Sequence, residues 1–126
     1  MTMAGEMRLM NCAEDAIIER GINHKIEGRY EEATQAFKEA LLANPDSTDG
    51  HHQLGLVYGF TGLFDESLEE LQIATKLSPD RVDIRVDLAL TYSMLGMYEE
   101  AKAEFEEVLI QDPSNKRAIE NLQFFN

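Results

Sequence analysis

The chain has 126 residues, of which 44% are hydrophobic, and it carries a formal net charge of −13 at pH 7. This length suits one domain and this apolar fraction suffices for a hydrophobic core, so the sequence predicts a globular protein and not a disordered one. Its 24 acidic side chains outnumber its 11 basic ones, which would repel nucleic acid and anionic membrane surfaces, so neither is an expected partner.

The cysteine content and the N-terminal residues favour the cytoplasm as the compartment. Cys12 is the single cysteine, so the chain cannot form an internal disulfide. Residues 1–10 are interrupted by Glu6 and Arg8 and lack the apolar centre of a signal peptide. No other stretch approaches the roughly 20 apolar residues of a transmembrane helix. We therefore expect a cytoplasmic protein that does not enter a membrane.

A helical hairpin is predicted after a leader, residues 1–13, that can itself form a short helix. Apolar residues recur at helical intervals from Asp15 to Ile26 and again from Tyr30 to Ala43. Gly28 separates the two runs, and glycine readily adopts the left-handed conformation that ends many helices. Pro45 follows the second run, where its ring blocks continuation of the helix.

The same pattern returns twice. A second hairpin is predicted at about Thr48–Phe60 and Phe64–Leu77, and a third at about Arg81–Met94 and Tyr98–Gln111. A spacing of 34 residues separates the successive turn glycines and the successive prolines, which are Gly28, Gly62 and Gly96, and Pro45, Pro79 and Pro113. A fixed period of this length is typical of a stacked helical repeat.

A last helix is predicted from about residue 115 to 125, with no second helix to complete a hairpin. In a stack of repeats the end of the array needs a helix with one apolar and one wet face, so this helix is predicted to cap the third hairpin. It ends in Phe124 and Phe125. These rings either fold back on the third repeat or meet a second molecule, so both are candidates for self-association.

The repeated string of residues resembles the tetratricopeptide repeat over residues 14 to 113, and the last helix resembles the solvating helix of that family. The string is most complete in the third repeat, where it comprises Leu88, Ala89, Tyr92, Gly96, Tyr98, Ala101, Phe105 and Pro113. The resemblance implies an all-α fold, a right-handed α-solenoid of three helix-turn-helix hairpins with a C-terminal capping helix. It implies one domain, residues 14–126, with repeats at about 14–47, 48–81 and 82–115.

The resemblance also implies a concave groove lined by the first helix of each hairpin. The inward positions of the family correspond here to an apolar floor that includes one histidine: Ile18, Ile22, Ile26, His52, Leu56, Phe60, Val86, Leu90 and Met94. They also correspond to an acidic rim: Asp15, Glu19, Asp49, Asp83 and Asp87. Such a surface implies a protein or peptide partner with apolar anchors and basic flanks, bound as an amphipathic helix or an extended segment.

Two other interpretations of the apolar positions stay open. Apolar residues at helical spacing are more often core than binding surface, so one alternative is that some of the floor residues are interior. The other concerns residues 1–13, because their methionines and leucine can fold over part of the groove.

Binding of chaperone tails is disfavoured by charge. Some tetratricopeptide domains hold a terminal carboxylate with lysine, asparagine and arginine from their first helices. The resemblance places other residues at the matching positions, namely Ile18, Ile22, Gln53, Asp83 and Asp87. Two aspartates where cations are needed would repel a carboxylate.

Catalysis, metal binding and cofactors are not expected. Paired acids such as Glu31 and Glu32 point about 100° apart on solvated helix faces. His51 and His52 are neighbours and not four residues apart, which disfavours a shared metal ion. The sequence has no glycine-rich phosphate loop and no nucleophile elbow. Two functions remain: a module that binds another protein, or a self-assembling scaffold in which the terminal segment of one molecule fills the groove of another.

Overall fold

The computed structural model describes the backbone of residues 3–125 and the side chains of residues 13–125. These residues form seven α-helices: α1 (Met3–Ile26), α2 (Tyr30–Ala43), α3 (Thr48–Phe60), α4 (Phe64–Leu77), α5 (Val82–Met94), α6 (Tyr98–Gln111) and α7 (Lys116–Leu122). A short 3₁₀ helix, Gln123–Phe125, follows α7. Each helix packs against the next, and α3 also touches both α1 and α5. The all-α prediction of three hairpins and a capping helix is confirmed.

The first helix is longer than the sequence predicted. Helix α1 begins at Met3, so the leader and the first predicted helix, Asp15–Ile26, form one continuous helix. Residues 3–14 contain no proline and are rich in Ala, Glu, Met and Leu, all good helix formers. The periodicity of apolar residues reveals helices that pack against a core. It does not reveal the N-terminal extension of α1. The predicted cover of the groove by residues 1–13 and the thiol of Cys12 lie outside the described side chains.

The three hairpin turns share one backbone geometry. Their glycines have positive φ angles of 78° at Gly28, 80° at Gly62 and 76° at Gly96. In the middle turn the N–H of Leu63 donates to the carbonyl of Tyr58 at 2.8 Å, and the other two turns repeat this hydrogen bond. It closes the helix end around a left-handed residue, where a side chain would be strained. Identical turns give the three hairpins the same geometry.

The interior consists of three buried apolar clusters, one at each junction between neighbouring units. The first cluster joins the first and second hairpins and contains Ile18, Ala33, Phe37, Ala40, Leu54 and Val57. The second joins α4 to α5 and contains Leu71, Ala74, Ile84 and Leu88. The third lies beneath α7 and contains Val86, Ala89, Phe105, Val108 and Ala118. Because each repeat buries its apolar side against its neighbour, the stack leaves part of α1, α3 and α5 uncovered.

Among the helices of residues 3–125, none combines the length and the apolar character that a transmembrane span requires.

Candidate functional site

The predicted floor separates into three rows along α1, α3 and α5. The first row contains Ile18, His52 and Val86, whose exposures are 7%, 6% and 1%. Ile18 belongs to the first core cluster and Val86 to the third. The prediction that these three residues line an open surface is therefore wrong, because they pack inside the junctions between repeats.

The second and third rows remain accessible. Ile22, Leu56 and Leu90, each one turn after the first row, are partly buried. Another turn later Ile26, Phe60 and Met94 are exposed by 75%, 61% and 64%. We call these six residues the apolar strip. It runs along the ends of α1, α3 and α5 next to the hairpin turns, and it retains six of the nine predicted floor positions.

A cleft opens in the apolar strip between α3 and α5. It has a volume of about 190 Å³, below the roughly 300–1,000 Å³ of small-molecule sites. Its walls are Leu56 and Phe60 from α3 and Leu90 and Met94 from α5, and α4 closes its base. Asp87 supplies the only acidic side chain among the described lining residues. The cleft has room for one side chain of a partner.

Much of the predicted acidic rim is paired within the chain. Arg81 donates through Nη2 to Asp83 at 2.9 Å and through Nη1 to Asp49 at 3.2 Å. The hydrogen bond from Arg81 lowers the pKa of Asp83, although partial burial opposes the shift. The same contacts raise the pKa of Arg81. Asp15 and Glu19 of the rim are exposed on α1. Asp49 and Asp83 are also exposed, but Arg81 partly neutralises them, so the rim is unpaired among the described residues only at Asp15 and Glu19.

Asp87, the remaining rim residue, joins three structural units. Its Oδ2 accepts a hydrogen bond from His52 Nε2 at 2.8 Å, and its Oδ1 lies 3.7 Å from Arg117 Nη2 on α7. The other ring nitrogen of His52, Nδ1, is buried without a hydrogen-bond partner among the described residues. His52 therefore links α3 to α5 and does not present a ring nitrogen to the groove.

Lys25 is a groove residue that the predicted site did not include. Its Nζ donates to Gln53 Oε1 at 2.6 Å and so bridges α1 and α3. Partial burial lowers the pKa of Lys25, and attraction to Asp87 opposes this shift. A sequence signal exists, because Lys25 follows Ile18 by seven residues and therefore falls on the same face of α1.

The two C-terminal phenylalanines have different environments. Phe125 folds back, with its ring centroid 6.3 Å from those of Tyr98 and Phe105. Phe124 is 86% exposed. It borders a shallow cavity of about 470 Å³ together with Phe125 and Tyr98. Of the two predicted self-association residues, only Phe124 is mostly exposed.

The histidines and carboxylates of the described residues form pairs and not larger clusters. The His, Asp and Glu side chains of this described part form no group of three or more that could hold a metal ion. Two histidines each form a hydrogen bond with a single carboxylate. His51 contacts Glu70 at 2.6 Å, and His52 contacts Asp87 at 2.8 Å.

Comparison with protein families identifies the class of this chain. Models described as tetratricopeptide repeat match residues 61–123 and residues 15–47, and the first match spans half of the chain. The chain therefore belongs to the tetratricopeptide repeat family. No curated protein matches its sequence significantly.

Solved structures with the same architecture include domains with bound peptides. The first tetratricopeptide domain of Spaghetti (RPAP3), bound to the HSP90 peptide SRMEEVD, has a TM-score of 0.84 and 22% identity over 88% of each chain. YrrB, a tetratricopeptide protein with an unusual peptide-binding site, has a TM-score of 0.80 and 19% identity over 87% of this chain and 57% of its own. At these identities the likeness shows the fold alone.

An enzyme also contains this architecture. A mutant O-GlcNAc transferase from Thermobaculum terrenum has a TM-score of 0.83 and 21% identity, over 91% of this chain and 22% of its own. Such repeats therefore occur as one part of a larger catalytic protein.

Proposed function

We propose that this chain is a non-catalytic interaction module whose groove binds a peptide or amphipathic helix with apolar anchors and basic flanks. The apolar strip is the observation that supports this most. Ile26, Phe60 and Met94 expose 75%, 61% and 64% of their surface at equivalent positions of three repeats. Phe60 and Met94 line the same cleft, and exposed apolar groups that lie together usually mark an interaction site, because water solvates them poorly.

The charge of the chain supports a basic partner. A net charge of −13 attracts cationic segments over long range and favours their encounter with the groove. Within the groove, the exposed carboxylates of Asp15 and Glu19 suit a basic flank beside the first repeat. Asp49 and Asp83 contribute less, since Arg81 already pairs with both.

An acidic tail such as SRMEEVD fits this groove poorly. That peptide is bound by the RPAP3 domain. Here Lys25 is committed to Gln53, and Asp83 and Asp87 would repel the carboxylates of the peptide. Synthetic SRMEEVD is therefore a suitable negative control.

Paired substitutions on inner and outer helices test the proposal. Met94 on α5 and Ile110 on α6 are 64% and 74% exposed, so glutamate at either position should leave the fold intact. We expect affinity capture from the extract of the source cells to recover binding proteins with the wild type and with Ile110→Glu, but not with Met94→Glu. Equal capture by both variants would contradict a groove site.

A second candidate function is self-assembly, favoured by the 86% exposure of Phe124. Light scattering over a range of concentrations distinguishes it from partner binding. A self-assembling scaffold would grow in mass with concentration, and Phe124→Ala would return it to a monomer. A wild type that stays monomeric while Met94→Glu loses its captured proteins excludes this alternative.

A further inference from the structure

The first two junctions of the stack differ at one position. Lys25 near the end of α1 and Gly59 near the end of α3 are equivalent by the 34-residue period, and so are Gln53 and Asp87. In the first junction the partly buried side chain of Lys25 crosses from α1 to α3, and its ammonium group donates to Gln53 at 2.6 Å. The chain thus fills this junction with a lysine of its own.

The second junction lacks such a side chain. Residue 59 is glycine, and the cleft of about 190 Å³ lies beside it. A Cβ atom added at Gly59 would have one neighbour within 4 Å, Ser67 Oγ at 3.5 Å, which is an ordinary contact. Asp87, at the position equivalent to Gln53, lines this cleft. The second junction therefore retains the acceptor and has space where the first junction has a lysine.

We propose that the cleft between the second and third repeats receives a lysine or arginine side chain of the partner, with Asp87 as its counter-ion. This inference rests on the proposed function, because it assigns a place to one basic residue of the bound segment. Leu56, Leu90 and Met94 would contact the aliphatic stem of that residue, which long basic side chains bury readily. Its charged head would reach Asp87 as Lys25 reaches Gln53, and a carboxylate is a stronger acceptor for an ammonium group than an amide is.

Asp87 retains the capacity for this contact. A carboxylate can accept about four hydrogen bonds. Among the described residues only His52 donates to it, from Nε2 to Oδ2. Arg117 Nη2 lies 3.7 Å from Oδ1, beyond hydrogen-bond distance. The Arg117 side chain is 56% exposed, so a contact of this kind is weak and readily exchanged.

An apolar side chain would suit the cleft less well. It would remove water from Asp87 without supplying a donor in exchange, which is unfavourable for a charged group. A long basic side chain satisfies both the apolar walls and the carboxylate. Partners whose anchors are purely apolar are therefore expected to bind along the rest of the apolar strip and not in this cleft.

A lysine introduced by substitution at residue 59 can take the place of the partner's basic side chain. Gly59→Lys places a lysine in the second junction as Lys25 is placed in the first, and Gly59→Met is a control of similar length without charge. With Asp87 present we expect Gly59→Lys to melt about 2–4 °C above Gly59→Met. In an Asp87→Asn background that difference should disappear, since the loss of the His52 contact is common to both variants and cancels.

Two results would overturn the inference. In the first, the melting temperatures of Gly59→Lys and Gly59→Met differ by the same amount whether residue 87 is Asp or Asn. In the second, Gly59→Lys is less stable than Gly59→Met although Asp87 is present. This cycle needs no partner, so its failure is distinct from a failure of the proposed function. The latter would appear as equal capture by Met94→Glu and Ile110→Glu.

Nuclear magnetic resonance with n-butylammonium chloride provides a second measurement. This probe reproduces the lysine side chain, and n-pentanol is its neutral counterpart. We expect saturable shifts of the methyl signals of Leu56, Leu90 and Met94 with both probes. The half-saturating concentration should be at least about threefold lower for butylammonium than for pentanol, which corresponds to a difference of about 0.7 kcal/mol in binding free energy. Equal concentrations for the two probes, or no shift at these methyls, would contradict the inference.

Discussion

The first and second halves of the inner helices, which are α3, α5 and the Asp15–Ile26 segment of α1, use their side chains differently. In the first half, Ile18 and Val86 are buried in core clusters, and Asp49 pairs with Arg81 from the following repeat. In the second half, the side chains of Phe60 and Met94 remain mostly exposed. The first half thus holds neighbouring repeats together, while the second half leaves apolar side chains exposed.

This difference shows that acidic residues on an inner helix need not form a ligand surface. Asp49 and Asp83 share Arg81, and Asp87 accepts from His52. The contacts of Asp49 with Arg81 and of His52 with Asp87 join α3 to α5 or to the residue before it, across more than 30 residues of sequence. Arg81 and Asp83 lie only two residues apart. The carboxylates therefore contribute to the stacking of repeats.

Glutamate substitutions in the two halves should have very different effects on stability. Val86 is 1% exposed, and Val86→Glu would bury a charge without a partner, so we expect a loss of more than about 3 kcal/mol in the free energy of unfolding. Met94→Glu, two turns later on α5, should change it by less than about 0.5 kcal/mol. Urea denaturation followed by circular dichroism measures both. Similar small losses would show that Val86 faces water and that the two halves do not differ.

Helix geometry explains why the sequence did not separate these halves. Each step of four residues advances about 40° around an α-helix, so Ile18 and Ile26 point about 80° apart. Their exposures are 7% and 75%, although both match inward positions of the family pattern. The family pattern assigns both residues to the inward face and does not distinguish their directions. Which of them is buried depends on how neighbouring repeats approach each other.

The periodic features, by contrast, were predictable from the sequence. The turn glycines Gly28, Gly62 and Gly96 fixed the hairpin boundaries, since a positive φ angle favours glycine at each of them. Contacts such as Lys25 with Gln53, 28 residues apart, depend on the distance between packed helices. Sequence spacing alone does not supply that distance.

Two glycines on α3 sharpen the comparison with a smaller expected effect. A Cβ atom at Gly55 would lie 2.9 Å from Leu71 Cγ, whereas one at Gly59 would meet only Ser67 Oγ at 3.5 Å. Gly55→Ala should therefore destabilise the chain by about 1–3 kcal/mol through overpacking. Gly59→Ala should stabilise it by up to about 1 kcal/mol through helix propensity. Thermal melting of the two variants checks this, and a stabilising Gly55→Ala would mean that α3 and α4 are not in close contact there.

The smallest expected effect concerns the pH dependence of the paired acidic row. The hydrogen bond from Arg81 lowers the pKa of Asp83 below its usual 3.8. The folded state therefore binds fewer protons at Asp83 than the unfolded state does, and the resulting stabilisation is present above about pH 4 and lost as the pH falls through the lowered pKa. Because the side chains of Arg81 and Asp83 are 39% and 54% exposed, the contribution should stay below about 1 kcal/mol.

Asp83→Asn removes this contribution, and Asp80→Asn in the turn that precedes α5 is the control, since Asp80 makes no ion pair with the described residues. Urea denaturation at pH values from 6 to 3 should show Asp83→Asn less stable than the wild type at pH 6, with the gap closing below about pH 4. The control should follow the wild type throughout. A gap that stays constant with pH would show that Asp83 acts through its shape or its hydrogen bonds and not through its charge.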